Sequence, residues 1–162
     1  MPAYYALAVV VGVLAVVATW IFGLPVAADH NLQVWQAFIA WGCHFHSGGG
    51  IKGSRTAFVG MTFGAIVGMA AVLLAGQLGS LGTLAAPVAV GLGAFVICLA
   101  SAIPLLATIP ASVYGFAAIA GLILLKGTAP VVALLPTAIS VLIGAIFGYV
   151  SEAVTNAISK KA

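Results

Sequence analysis

Charge is nearly missing from this chain. Lys and Arg number five and Asp and Glu two among 162 residues, 4% in all, while 64% are hydrophobic. A soluble domain carries about 25% charged residues, so an aqueous surface over most of this chain is excluded. The formal net charge of +3 is too small and too scattered to hold a nucleic acid, and reads instead as the flanks that orient membrane spans. Cysteine is scarce as well. Cys43 and Cys98 both fall inside apolar runs, where free thiols behave as small hydrophobes, and no disulfide is expected. Long polar stretches are missing too: the links between apolar runs reach only about seven or eight residues, the length of helix–helix connections. Paired carboxylates, a nucleophile beside a base, and metal ligands at workable spacing are all lacking. That argues against an enzyme and gives no reason to expect a metal or cofactor.

What the chain has is apolar length. Residues 4–21, 83–103 and 131–150 are each long enough to cross a hydrocarbon core of roughly 30 Å. Six apolar segments can be read, at 3–23, 31–49, 55–78, 83–103, 107–125 and 131–151. The expected fold is therefore an all-α integral membrane protein of six transmembrane helices in one domain, 1–162. Val26-Ala27-Ala28 has the small residues of a signal cleavage site. The apolar run before it is about twenty residues long and no Lys or Arg precedes it, so a retained first span is expected. Asn31 is the expected N-cap of the second segment, and Gly48-Gly49-Gly50 its end.

The second segment contains Gln33, Gln36, His44, His46 and Ser47, polar enough to leave a re-entrant half-helix open beside a full crossing. Lys52, Arg55, Lys160 and Lys161 fall on the side of the C-terminus with five spans or six, and Lys126 falls opposite. The C-terminus is thus expected to be cytoplasmic, and the N-terminus joins it only with six spans.

An internal repeat favours six. Gly60, Gly64 and Gly68 recur at spacing four in the third segment, as Ser140, Gly144 and Gly148 do in the sixth, and both carry Gly-Ala-Ile-x-Gly. Trp41-Gly42 in the second segment matches Tyr114-Gly115 in the fifth. Halves at 3–78 and 83–156 with three spans each would be oppositely oriented, a 3+3 inverted repeat. The glycine stripes are expected to be helix-packing faces.

Several residues are candidates for function. Trp41, Gly42, Tyr114 and Gly115 lie near segment centres, where they either line a passage or pack between helices. His44 and Ser47 share one helix face while His46 points away. His44 reads as a proton acceptor facing a cavity or, more blandly, as an interfacial histidine. Asp29-His30 and Glu152 sit at segment ends, where surface roles are expected. Glu152 also continues the Ser140–Gly144–Gly148 stripe and could cap a vestibule. Gly48-Gly49-Gly50-x-Lys52-Gly53-Ser54 lacks the spacing of a nucleotide phosphate loop.

Trp35-x-x-Phe38-Ile39-x-Trp41-Gly42, the His44–Gly50 stretch and Ile109-Pro110-x-x-x-Tyr114-Gly115 together resemble a family of small bacterial inner-membrane proteins, domain of unknown function 1097. The resemblance runs roughly from Tyr4 to Val154. It implies a multi-pass protein of the bacterial cytoplasmic membrane and carries no catalytic or ligand residue. With no carboxylate or ammonium near a segment centre, the expected function is a channel or facilitator for a small polar, neutral or weakly acidic solute, assembled as a homo-oligomer in the lipid bilayer. The alternative is a non-transporting scaffold or subunit of a larger membrane complex.

Overall fold

The computed structural model describes residues 1–159; Lys160 and Lys161, grouped above with the cations near the C-terminus, lie outside the described residues. The elements are α1 (Ala3–Phe22), α2 (Pro25–Asp29), α3 (Val34–His46), α4 (Gly50–Gln77), α5 (Ala85–Ala100), α6 (Ile109–Lys126) and α7 (Pro130–Ile158). Short 3-10 turns, Gly79–Leu84 and Pro104–Leu106, flank α5, and no strand occurs among the described residues.

Five stretches are long and apolar enough to cross a membrane: α1, α4, Gly79–Ala100, α6 and α7. The second of the six expected segments, the one left open as a re-entrant half-helix, is not a helix of membrane-spanning length. The 13 residues of α3 extend only about 20 Å at 1.5 Å per residue. The break before α3 has a local cause. Asn31 is left-handed (φ 56) and Gln33 is extended (φ −122, ψ 117), so neither continues a helix. Gln33, not Asn31, precedes the first turn of α3, and its backbone N–H donates to Ser140 Oγ at 3.0 Å. At the other end of α3, Gly48, Gly49 and Gly50 all have positive φ (91, 70 and 60). This left-handed run is cheap only for glycine. It ends α3 and starts α4, so Lys52 and Arg55 belong to the first turns of α4 and not to a loop before the third segment.

The glycine stripes set helix directions. Gly60, Gly64 and Gly68 face Ala111, Ser112 and then Phe116 and Ile119, in that order, so α4 and α6 run the same way. Gly144 and Gly148 face Ala37 and His44, so α7 and α3 also run the same way. α4 and α7 are antiparallel: Gly50 N–H reaches Glu152 while Ser54, further along α4, reaches Ala145, earlier on α7. α1 packs on α7 and α5 on α4. The start of α1, at Ala3 and Tyr4, shares a cleft with Glu152, Thr155 and Asn156 near the end of α7. Asp29, His30 and Asn31 lie instead against Val131, Val132, Leu135 and Pro136, at the start of α7. α1 therefore runs from the Glu152 end of the bundle toward the start of α7, and α3 runs back toward the Glu152 end.

Small residues make this packing close. Ala40, Cys43, Ala57, Met61, Ala111, Ala118, Val141 and Ala145 form one buried cluster between α3, α4, α6 and α7. Ala65, Ile119, Leu122, Ile123 and Ala133 form a second. Lipid tails are as apolar as leucine, so helices in a bilayer associate through such close contacts instead of a hydrophobic driving force.

Candidate functional site: a buried histidine and a glycine-cradled carboxylate

Among the polar side chains hidden inside this bundle, two groups stand at different levels. At the end where Glu152 lies, His44 is fully buried. Its Nδ1 is 2.9 Å from Ser54 Oγ and its Nε2 is 3.0 Å from Glu152 Oε2. Ser54 Oγ also lies 3.0 Å from the Ala145 carbonyl. The two ring nitrogens of His44 therefore tie Ser54 of α4 to Glu152 of α7: an Nε2–H donating to the carboxylate and an Nδ1 accepting from the Ser54 hydroxyl satisfy both contacts.

The triple glycine explains how the carboxylate is held. Gly50 N–H, at the start of the 28-residue α4, donates to Glu152 Oε2 at 2.6 Å. Gly49 lies flat beneath the same carboxylate, and a methyl on it would come 2.6 Å from Oε2. A helix N-terminus and successive backbone N–H groups favour an anion, and here the anion is the chain's own Glu152. The segment that fails as a nucleotide loop therefore does cradle an acidic group. Glu152, expected at a surface, keeps 35% of its side chain exposed while one oxygen is held inside, and His44 is enclosed by protein at the same end of the bundle. Lone polar residues cannot reveal a partner more than a hundred positions away.

At the second level, Gln36 is fully buried and donates from Nε2 to the Ala118 carbonyl at 2.9 Å and to Thr137 Oγ1 at 3.0 Å. Its Oε1 has no partner. Gln36 was one of five polar residues noted in the second segment and was not singled out. Its only sequence signal is an amide between apolar neighbours. Between the two levels backbones nearly touch: a methyl on Gly64 would penetrate Ser112, one on Gly115 would penetrate Met61, and one on Gly144 would penetrate Ala37.

The other candidates are placed as follows. Trp41 is buried, stacks with Phe38, meets Phe147 at a tilt of 41°, and donates from its indole to Ser151 Oγ at 3.0 Å. Gly42 is exposed with open space beside it, whereas Gly115 is pressed against Met61. The two aromatic–glycine pairs therefore do not occupy equivalent environments. Tyr114 is half-buried and meets the His46 ring edge-on at a centroid distance of 6.0 Å. Ser47 lies 3.8 Å from Cys43 Sγ and does not join His44 in a common site. Asp29 and His30 are exposed. No group of three or more metal-ligating side chains occurs among the described residues.

These features define a helical, multi-pass, membrane-type protein with a polar interior. A family profile described as "Protein of unknown function (DUF1097)" matches residues 8–156, and the chain belongs to that family. No curated protein and no solved structure matches it.

Proposed function

We propose that the chain is a gated facilitator for a small polar solute, neutral or weakly acidic, built from two inverted three-helix units. The observation that carries this reading is the pair of buried polar levels, with Gln36 Oε1 left unpartnered inside an apolar bundle. An unsatisfied polar atom in such surroundings costs on the order of 1–3 kcal/mol. Polar groups inside a membrane bundle either bond helix to helix or mark a pathway, and an acceptor left without a donor favours the second. The tight layer at Gly64, Gly115 and Gly144 separates the levels, so passage requires helix movement, and an open channel is set aside.

The inverted arrangement is supported by how helices pair. Exchanging α1 with α5, α3 with α6 and α4 with α7 turns the parallel α3–α7 contact into the parallel α6–α4 contact. The same exchange turns α1 on α7 into α5 on α4. In this reading α2 and α3 form the second crossing as a broken helix, of the kind that builds binding sites in many transporters. Lys52 and Arg55, by the positive-inside tendency, support a reading in which the Glu152 end faces the cytoplasm with both termini. The chemistry is not symmetric: His44, Gln36 and Gln33 all lie on α3 or just before it, while α6 offers Ser112, Tyr114 and backbone.

The test is solute flux into proteoliposomes, followed by stopped-flow light scattering with formamide, urea and acetate as probes. Saturable entry of at least one probe, lost in Gln36→Leu with the fold retained, is expected. No flux for any weak acid, weak base or neutral probe would favour the second reading, a non-transporting scaffold, which the close-packed glycine layer supports.

A further inference from the structure

Glu152 has a second carboxylate oxygen, and it faces a cleft. Oε2 is committed to His44 and Gly50, while no donor among the described residues reaches Oε1. The side chain keeps 35% of its surface exposed. The cleft, about 440 Å³, is walled by Tyr4 and Leu7 of α1, by Phe45 and Gly49, and by Glu152 and Thr155 of α7. Thr155 lies three residues beyond Glu152, hence on the same helix face. It is only 6% exposed, and its Oγ1 has no hydrogen-bond partner. The site thus combines a half-free carboxylate, an unsatisfied hydroxyl and two aromatic rings. No basic side chain lines it.

We propose that this cleft binds a small ammonium-type cation, ammonium itself or a primary alkylammonium, through Glu152 Oε1 and Thr155 Oγ1. A donor ligand is favoured because the free carboxylate oxygen only accepts hydrogen bonds, while the Thr155 hydroxyl can accept as well as donate. A cation is favoured because a charged N–H donor on a carboxylate makes roughly twice the bond of a neutral one, and the aromatic residues Tyr4 and Phe45 line the cleft, a residue type that can attract positive charge. An anionic ligand would meet the carboxylate's own charge. An ammonium ion is also a weak acid, so the site names a solute class for the facilitator. The inference rests on that reading only for this last step, since binding is measured without transport.

Calorimetric titration of the purified protein in detergent micelles with methylammonium chloride tests the proposal, with urea and sodium chloride titrated in parallel. Saturable methylammonium binding is expected, at least tenfold weaker in Glu152→Gln and several-fold weaker in Thr155→Val, and unchanged in Gly91→Ala, where a methyl meets nothing within 4 Å. Thermal melts of helicity monitor folding. If Glu152→Gln does not fold, Thr155→Val and Tyr4→Ala carry the test. Absence of saturable binding, equal binding of urea or sodium, or an unaltered affinity in Thr155→Val would each overturn the assignment. Failure here leaves the flux experiment on neutral solutes untouched, and failure of flux leaves a measured binding site.

Discussion

Replacing Gly64 with alanine should damage this protein more than its size suggests. The added methyl would sit inside the Ser112 carbonyl and 2.8 Å from Ser112 Cα, where carbon atoms in good contact stand about 3.5–4.0 Å apart. α4 and α6 would have to separate by roughly 1 Å to restore that spacing. The separation would also loosen Gly60 from Ala111 and Gly68 from Ile119, which lie along the same seam. Overpacking of this kind costs about 1–3 kcal/mol, offset by the ~0.5–1 kcal/mol that alanine gains over glycine within a helix. A net loss of about 1 kcal/mol is expected once both effects are combined. Gly91→Ala is the control, since nothing lies within 4 Å of a methyl there, and it should be neutral or stabilising by up to about 1 kcal/mol. Reversible unfolding in mixed detergent–dodecyl sulfate micelles, followed by far-UV circular dichroism, reads both variants on one scale. If Gly64→Ala and Gly91→Ala unfold at the same denaturant fraction, the seam is not close-packed and the reasoning fails.

Gly49→Ala should destabilise as well, because it combines a left-handed backbone with a methyl pushed into the Glu152 carboxylate; a loss of roughly 1–3 kcal/mol in the same unfolding assay is expected. Trp41→Phe keeps the aromatic packing but strands Ser151 Oγ, which still donates to Gly148, so its cost should stay near 1 kcal/mol; a loss several times larger would show that the indole N–H does more than bond Ser151. In native-like micelles, a maleimide should label exposed Cys98 and leave buried Cys43 unmodified; mass spectrometry of the digested protein reads both sites, and equal labelling would contradict the burial of α3.

Much of the architecture is legible in composition and spacing. The apolar runs, the turn at Gly48–Gly50 and the stripes at Gly60–Gly68 and Ser140–Gly148 all correspond to structural features, because helix period and glycine chemistry act locally. The helix ends were less legible. α4 absorbs Lys52 and Arg55, and α7 continues past Ser151 to Ile158, since polar residues at a membrane surface need not stop a helix. The break at Asn31–Gln33 leaves no clear mark, as either residue also fits a helix start. The candidate site was the least readable. His44, Ser54 and Glu152 are joined only once α3, α4 and α7 converge, and no sequence window contains all three. The matching of Trp41-Gly42 with Tyr114-Gly115 finds corresponding chain positions but says nothing of their surroundings, which differ.

Side-selective labelling of single cysteines, in a background with Cys43 and Cys98 replaced by alanine, tests most directly whether the chain returns across the bilayer through α2 and α3. Cysteines placed at Pro2 and Lys52 should react from one face of oriented vesicles, and those at Asp29 and Lys126 from the opposite face. Labelling of position 2 from the face opposite position 52 would leave five crossings, and the inverted three-plus-three arrangement could not stand.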